Sequence, residues 1–269
     1  MRIPFVKMHG AANDFVVVDH RQPFLPAEAT ETFRRLCDRR RGVGADGVLL
    51  LERDERLDYA MRYHNADGRP AAYCGNGARC LARFALDLGL GRRGRVRFRT
   101  AVGAQSARTL SDGGIEVHFG RAGRAGDLET VSAARRSFTG RLAVVGVPHF
   151  VVAVEDVAPL PVAAWGPALR GNRRFAPEGT NVDFVAPASE GCLAMRTFER
   201  GVEAETLACG SGAMAAALWA EREGRPSPVR VLTAGGDTLV VSFRPSVRGL
   251  DLRLAGPAAV AFTGVWETG

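Results

Sequence analysis

Two cysteines of this 269-residue chain stand in the same local sequence, Cys-Gly-x-Gly. The motifs are Cys74-Gly75-Asn76-Gly77 and Cys209-Gly210-Ser211-Gly212. Each opens a stretch with a helical pattern, which predicts helices over residues 78–88 and 213–222. A thiol at a helix start lies at the positive end of the peptide dipoles, which lowers its pKa towards reactivity. Two thiols in matched settings indicate a pair that acts on one substrate from opposite sides.

The glycines of each motif leave the backbone amides after the sulfur uncovered, and such amides bind anions. The carbanion of an amino acid spreads its charge onto the neighbouring carboxylate, which these donors stabilise. One thiolate then removes the α-proton and the other thiol returns one to the opposite face, with neither metal nor cofactor. His149 and Glu199 are candidates for tuning one thiol each. Free cysteines are usually buried small hydrophobes, an interpretation that suits Cys37, Cys80 and Cys192.

Composition excludes several other classes of function. Lys7 is the only lysine, so the chain has no P-loop, and a pyridoxal-phosphate Schiff base would require this residue at the active site. The net charge is +7, but the arginines are dispersed and their one tight run, residues 39–41, has no interleaved aromatics, which disfavours nucleic-acid binding. The five cysteines are odd in number and have no zinc-site spacing, which predicts neither a disulfide framework nor a metal site.

No apolar run approaches the roughly 20 residues that span a bilayer, and the N-terminal segment lacks the pattern of a signal peptide. We therefore expect a cytoplasmic protein without a membrane partner. Short strand patterns alternate with helical ones, including a helix over residues 28–40, so the predicted fold class is α/β. Gly42-Val43-Gly44-Ala45-Asp46-Gly47 fits a dinucleotide pattern but follows a helix and precedes a strand, which favours a helix-to-strand turn.

The two halves of the chain resemble each other weakly. Asn13-Asp14-Phe15 is echoed by Asn181-Val182-Asp183-Phe184, and Asn65 and Arg200 stand at the same distance before their cysteines. A Gly- and Arg-rich stretch at 120–126 has the composition of a linker. These features predict a duplicated α/β unit with one reactive cysteine per half and a ligand site in the cleft between the halves.

In chain order, these motifs resemble those of the diaminopimelate epimerase family, nearly from end to end. The motifs that carry the resemblance are His9-Gly10-Ala11-Ala12-Asn13-Asp14-Phe15, Gly42 to Gly47, Asn65-Ala66-Asp67-Gly68, Cys74 to Arg79, Pro148-His149, Thr180-Asn181-Val182, Glu199-Arg200-Gly201, Glu205-Thr206 and Ala208 to Gly212. The resemblance implies a cofactor-independent isomerase that interconverts LL- and meso-diaminopimelate on the route to lysine and peptidoglycan, in a two-base mechanism. It also implies a homodimer.

The resemblance further implies two pseudo-symmetric halves, residues 1–118 and 119–259, each a sheet wrapped around a central helix, with a last strand at 260–269 that returns to the first half. The acid/base thiols would be Cys74 and Cys209, tuned by His149 and Glu199. The substrate-binding residues would be Asn13, Gly47, Asn65, Gly75, Asn76, Asn181, Glu199, Arg200, Gly210 and Ser211. The chain departs from the family where Gly47 replaces a common Gln and Val147 a common Asn, which leaves room for a shifted specificity.

Four alternatives remain at this point. A proline-type racemase uses the same thiol pair, but Asn65, Asn181 and Arg200 argue against so small a substrate. A phenazine-type isomerase lacks the paired cysteines. A basic RNA-binding protein would show salt-dependent affinity, and a thiol-redox sensor would also need two close, activated cysteines.

Overall fold

The computed structural model describes residues 1–26 and 29–267, except for the side chain of Glu190. The chain divides into two compact units. The first unit comprises Met1–His118 and the segment from Ala255 onward, and the second comprises Phe119–Leu254. Among the described residues, no helix has the length and apolar character that crossing a membrane would require.

The described residues form the following elements in chain order: β1 (Arg2–Gly10), β2 (Asn13–Asp19), α1 (Thr30–Cys37), β3 (Gly47–Glu52), β4 (Tyr59–Asn65), β5 (Pro70–Ala71), α2 (Gly75–Asp87), β6 (Arg95–Thr100), β7 (Gly103–Thr109), β8 (Ile115–Ala122), β9 (Leu128–Ala133), β10 (Arg136–Val145), β11 (Val147–Ala153), α3 (Val162–Arg170), β12 (Asn181–Pro187), β13 (Leu193–Glu199), β14 (Ala204–Thr206), α4 (Gly210–Arg222), β15 (Val229–Leu232), β16 (Thr238–Ser246), β17 (Gly249–Gly256) and β18 (Ala259–Glu267). Short 3₁₀ turns cover Arg173–Phe175 and Ser189–Gly191.

Both units use the same order of strand pairing. In the first unit β1 and β2 are antiparallel, β2 and β3 parallel, β3 and β4 antiparallel, and β4 and β6 parallel. In the second unit β10 and β11 are antiparallel, β11 and β12 parallel, β12 and β13 antiparallel, and β13 and β15 parallel. The repeat inferred from the sequence is therefore present in the architecture of the two units.

The register of the strands corrects the alignment of that repeat. Gly47 opens β3 opposite Phe15 of β2, and Asn181 opens β12 opposite His149 of β11. Asn181 is therefore equivalent to Gly47, and not to Asn13, which opens β2. The echo between Asn13-Asp14-Phe15 and Asn181-Val182-Asp183-Phe184 was misleading, because such short matches carry little information, whereas the hydrogen-bonded register fixes equivalence directly.

A central helix packs against most strands of each unit. α2 contacts β1, β2, β3, β4, β6 and β7, and α4 contacts β10, β11, β12, β13, β15 and β16. In the first unit a glycine lets α2 lie close to β1, because a Cβ at Gly10 would be only 3.0 Å from the backbone oxygen of Asn76. In the second unit α4 buries an alanine-rich surface from Ala213 to Ala217, which keeps the helix near the strands. The predicted fold class, two halves each with a sheet around a helix, is confirmed.

Several predicted boundaries are wrong, each for a local reason. α2 and α4 begin at residues 75 and 210, three residues before the predicted starts, because a cysteine caps each glycine-rich first turn. α1 ends at Cys37, short of the predicted residue 40, because the Asp38 carboxylate accepts the N–H groups of Arg40 and Arg41. Glu28, the predicted first residue of that helix, lies outside the described residues, as do residues 268 and 269 of the predicted last strand.

The predicted linker at 120–126 is wrong in its first half. β8 continues to Ala122, and irregular backbone begins only at Gly123. The glycine content concealed the strand, since Gly120 adopts a φ of 101° within it. By contrast, the interpretation of Gly42–Gly47 as a helix-to-strand turn is confirmed, because the segment joins the end of α1 to Gly47, the first residue of β3.

Candidate active site

The two motif cysteines occupy the same position, the N-cap of a central helix. Cys74 precedes α2 and Cys209 precedes α4, both with extended backbone. The Cys74 sulfur accepts a hydrogen bond from the Gly77 N–H at 3.5 Å, and the Cys209 sulfur accepts one from the Gly212 N–H at 3.3 Å. The first amides of a helix lie outside its own hydrogen-bond ladder, so each thiol stands beside a group of donors suited to an anion.

Burial, rather than the helix start, dominates the acidity of Cys209. Removal of the thiol from water raises its pKa well above the ordinary range, and the nearby carboxylates of Glu199 and Asp183 raise it further. Hydrogen bonds from Ser211 and Gly212 oppose this without overcoming it. The helix start therefore lowers the pKa of Cys209 as expected, but burial and the two carboxylates outweigh this effect and the net shift is upward.

Glu199, one of the two candidates for tuning a thiol, lies beside Cys209. It forms a hydrogen bond with Cys209, and burial raises the pKa of the Glu199 carboxyl. Its Oε1 also accepts a hydrogen bond of 2.5 Å from the Thr206 hydroxyl. Thr206 ends the short strand β14, which turns back along β13 and so returns the hydroxyl to the end of that strand.

His149 is held by a buried carboxylate that the sequence analysis did not single out. Asp183 Oδ2 lies 2.7 Å from His149 Nδ1, and both side chains are fully buried. The Thr197 hydroxyl donates to Asp183 Oδ1 at 2.8 Å, and the Asn181 amide nitrogen lies 3.4 Å from His149 Nε2. These partners orient the imidazole, with Nδ1 towards the carboxylate and Nε2 towards the Asn181 amide. The sequence signal that could have revealed Asp183 was a charged residue inside the otherwise apolar segment Val182–Val185.

Around Cys74, two asparagines form a connected network. The Cys74 thiol donates to Asn13 Oδ1 across 3.6 Å, and the same oxygen accepts from Asn76 Nδ2 at 3.1 Å. Asn13 Nδ2 donates to Asp46 Oδ2 at 2.7 Å, and Arg79 Nη2 donates to Asn76 Oδ1 at 2.9 Å. Arg79 is fully buried. An arginine on the buried face of a predicted helix was the signal that could have revealed it.

A cluster of charges supports this network from behind. Lys7, the only lysine, donates to the Gly44 carbonyl and lies 2.7 Å from Asp14. Arg39 contacts both Asp14 and Asp46. Burial alone would raise the pKa of Asp14, but hydrogen bonds and charge from Arg39 and Lys7 hold it well below the ordinary value. The turn that carries Asp46 is thereby fixed to β1 and β2.

The residues predicted to bind the far end of the substrate differ in their environment. Asn65 is exposed at the end of β4. Asn181 is buried, and its Oδ1 accepts the Arg200 N–H at 2.8 Å while its amide donates to the Pro148 carbonyl at 3.1 Å. The Arg200 guanidinium is partly exposed and lies 3.5 Å from Glu178.

Gly47 offers its backbone alone. A Cβ at this position would lie 2.5 Å from the His64 carbonyl oxygen and 2.7 Å from the ring of Tyr63. A larger residue would therefore require the Tyr63 ring to move.

The structure brings Asn13 and Asn76 to Cys74 in the first unit, and Glu199 and Ser211 to Cys209 in the second. Within the described part of the chain, no three His, Cys, Asp or Glu side chains are grouped as a metal site.

A family model described as diaminopimelate epimerase matches residues 5–124 and 141–245. The chain belongs to the diaminopimelate epimerase family. Among its relatives, the diaminopimelate epimerase of Chlorobaculum tepidum is 39% identical over 96% of this chain and 98% of its own length. The diaminopimelate epimerase of Aquifex aeolicus is 38% identical over 97% of this chain and 96% of its own. The family predicted from the motifs is confirmed.

Solved structures extend the likeness of fold beyond the diaminopimelate epimerase family. A hydroxyproline epimerase from Agrobacterium vitis superposes with a TM-score of 0.73 at 17% identity, over 98% of this chain and 92% of its own. A phenazine biosynthesis protein from Bacillus anthracis gives a TM-score of 0.73 at 14% identity, over 98% and 99% of the two chains. At such identities the comparison bears on the fold alone.

Proposed function

We propose that the chain interconverts LL- and meso-diaminopimelate by moving a proton at one α-carbon with two thiols. Membership of the diaminopimelate epimerase family supports the substrate and the reaction. The observation that carries the thiol roles is the matched placement of Cys74 and Cys209, each capping a central helix and accepting the N–H of the glycine three residues on. A structural cysteine would have no reason to recur in this way in both units.

The proton transfer balances without a co-reactant. The thiolate of one cysteine takes the α-proton and becomes a thiol, and the electron pair left on carbon spreads onto the α-carboxylate. We propose that first-turn amides of Gly75, Asn76, Gly210 and Ser211 stabilise that charge. The other thiol gives its proton to the opposite face of the carbon and becomes a thiolate. Because burial and two carboxylates raise the pKa of Cys209, we assign it the donor role in the free protein and assign Cys74 the base role.

The tuning residues have separate tasks in this scheme. Glu199 repels a thiolate at Cys209 and so strengthens that sulfur as a base once it has given up its proton. His149, oriented by Asp183, is proposed to tune the other thiol, that of Cys74. At the far end of the substrate, we propose that Arg200 binds the distal carboxylate, with Asn65 and Asn181 completing the pocket and Gly47 contributing backbone. Asn13, which lies beside Cys74, would bind the substrate near the reacting carbon.

The assembly and location are also proposals. On β18 the side chains of Val260, Phe262 and Val265 are half exposed. We propose that this strand, paired with β1, forms the contact of a homodimer, which Phe262→Glu would disrupt in sedimentation equilibrium. We further propose a cytoplasmic enzyme, acting in lysine and peptidoglycan precursor synthesis, that binds its small-molecule substrate and neither nucleic acid nor membrane.

Incubation with LL-diaminopimelate in D₂O tests the function directly. The expected result is meso product with deuterium at the inverted α-carbon, because the donor thiol exchanges its proton with solvent. Absence of both deuterium and meso product would reject the assignment. Proline and hydroxyproline in the same assay test the racemase alternative, which turnover of either amino acid in place of diaminopimelate would favour.

Variants test the thiol roles. Cys74→Ala and Cys209→Ala are each expected to abolish epimerisation, since inversion requires a thiol on each face of the α-carbon. Cys37→Ala and Cys192→Ala are the matched controls, because both cysteines are buried and free and lie outside the two motifs. Full activity in either motif variant would refute the two-base mechanism and leave a redox or binding role for the cysteines.

A further inference from the structure

A chain of four hydrogen-bonded side chains passes beside the Cys74 thiol. One end of this hydrogen-bond chain carries a positive charge and the other end a negative charge. Its members are the Arg79 guanidinium, the amides of Asn76 and Asn13, and the Asp46 carboxylate, joined by hydrogen bonds of 2.9, 3.1 and 2.7 Å. The charge at each end makes this chain different from an ordinary polar cluster, because it determines which way both amides point.

The orientation of an asparagine amide is usually ambiguous, since its oxygen and nitrogen are alike in shape. Here the two ends remove the ambiguity. A guanidinium can only donate, so the atom of Asn76 that faces Arg79 is the oxygen. A carboxylate can only accept, so the atom of Asn13 that faces Asp46 is the nitrogen. The central bond, from Asn76 Nδ2 to Asn13 Oδ1, agrees with both assignments.

The consequence falls on Cys74. With both amides fixed, Asn13 presents a carbonyl oxygen to the sulfur, which a thiol can satisfy by donating its hydrogen across 3.6 Å. A thiolate would meet that oxygen as one electron-rich atom against another. A reversed Asn13 would instead offer an N–H to the thiolate. This series of hydrogen bonds therefore favours the protonated form of the Cys74 sulfur.

We propose that Arg79 and Asp46 are positioning residues that hold the Asn13 carbonyl on Cys74 and thereby make the Cys74 thiolate a stronger base. An α-proton is a weak acid, so a more basic thiolate removes it faster. The catalytic meaning of this inference rests on the proposed function, whereas the orientation of the amides does not.

Neighbouring contacts hold the two ends in place. Asp46 Oδ1 accepts from Arg39 at 2.8 Å and its Oδ2 accepts the Asp14 N–H at 3.2 Å. At the other end, Arg79 donates from Nε to the Pro257 carbonyl at 3.3 Å. Gly10 lies so close that a Cβ there would be 3.3 Å from Arg79 Nη2, which limits the room for the guanidinium to move.

The test is the pH dependence of Cys74 alkylation by iodoacetamide in the protein without substrate, followed peptide by peptide by mass spectrometry. Asp46→Asn and Arg79→Met each remove the charge at one end of the hydrogen-bond chain. The charge at the other end still orients both amides, so each variant alone is expected to change the pH profile of Cys74 alkylation little. The double variant frees both amides to reverse. Its half-labelling pH is expected to fall by about one unit, because a hydrogen bond to a charged sulfur replaces a repulsive contact.

Non-additivity is the specific signature, because a structural role at either end would give independent effects. Asp46→Asn with Arg79→Lys is expected to keep the wild-type profile, since a lysine ammonium still donates to Asn76. Asp87→Asn is the matched control: Asp87 is also paired with an arginine, its side chain is 47% exposed against 43% for Asp46, and it lies at the far end of α2. That variant should label as the wild type does.

If Arg79→Met fails to fold, Asn76→Ala in the Asp46→Asn background cuts the same chain and is expected to give the same shift. The double variant should also lose kcat about tenfold with KM nearly unchanged, because the weaker base acts only in the proton transfer. A double variant that labels at the wild-type pH, or singles whose shifts add up to the double, would overturn the proposal. Failure of the deuterium assay would instead reject the function and leave the labelling result interpretable.

Discussion

Replacement of Asp183 by alanine removes the acceptor of two buried donors at once. The Asp183 carboxylate accepts from His149 Nδ1 at 2.7 Å and from the Thr197 hydroxyl at 2.8 Å, and neither His149 nor Asp183 has any exposed side-chain surface. We therefore expect alanine to be far more damaging at Asp183 than at a surface aspartate.

The magnitude follows from the two stranded donors. A buried donor left without a partner costs about 1–3 kcal/mol, and Asp183→Ala leaves two such donors. We therefore expect Asp183→Ala to lower the free energy of unfolding by about 4 kcal/mol. For a chain of this size, 1 kcal/mol corresponds to roughly 2–4 °C in Tm. The alanine variant should melt about 12 °C below the wild type.

Asp183→Asn separates charge from hydrogen bonding. Its amide oxygen can accept from His149 and its nitrogen can donate to the Thr197 oxygen, so we expect a loss of only about 1 kcal/mol. The negative charge that orients and supports the imidazole is nevertheless gone. We expect kcat to fall about 100-fold while KM changes little, since Asp183 is buried beneath His149.

Two measurements check this reasoning. Thermal unfolding followed by circular dichroism gives the order wild type, asparagine, alanine, and kcat against pH for the asparagine variant should show a changed profile. Thr197→Val is the matched control, because it removes one hydrogen bond of Asp183 and leaves the charge. An alanine variant that melts within about 3 °C of the wild type, or an asparagine variant with wild-type kcat at every pH, would refute the role assigned to Asp183.

Gly212→Ala would place a Cβ 2.5 Å from Asp183 Oδ1, so we expect a loss of about 2 kcal/mol in urea unfolding, whereas Gly171→Ala, whose Cβ would meet only an oxygen at 3.5 Å, should be nearly neutral; equal effects would contradict this. Glu199→Gln removes a carboxylate that raises the pKa of Cys209, so iodoacetamide should label Cys209 at lower pH, and an unchanged or higher pH of labelling would argue against the repulsion. Asp14→Asn should cost about 2 kcal/mol at pH 7. Because the folded-state pKa of Asp14 lies below its unfolded value of 3.8, this stabilisation is present above pH 4 and is lost as the pH falls further. A difference in urea midpoint that stayed constant from pH 7 to pH 2 would exclude the ion pairs as its source.

The sequence predicted best where structure depends on neighbours along the chain. A continuous apolar run predicted β3, alternating apolar residues predicted most of β6, and helical spacing predicted α2 and α4 to within three residues. Prediction from the sequence failed where glycine and proline lie inside a helix or strand rather than in a loop. The helix α3, which contains Gly166 and Pro167, was not predicted, yet a Cβ at Gly166 would lie 2.3 Å from the Phe198 ring. Glycine is placed there for close packing, and composition alone cannot distinguish that from a loop.

The candidate site divides in the same way. The thiols, His149 and Glu199 were predicted from motifs, and their catalytic roles stay predictions. Thr206 and Arg79 were not predicted, although their partners Glu199 and Asn76 lie only seven and three residues away. Asp183 and Asp46 were not predicted because each contacts a residue more than 30 positions away in the chain. No spacing rule relates such partners.

By itself, the sequence determined that two equivalent thiols stand at two helix starts, because a cysteine followed by glycines caps a helix through contacts within three residues. Only the tertiary structure decided the chemical state of those thiols. Burial and the carboxylates of Glu199 and Asp183 raise the pKa of Cys209, and two opposite charges orient the amide that faces Cys74. Desolvation and charge act through space, so they become defined only when strands distant in sequence are packed around each helix.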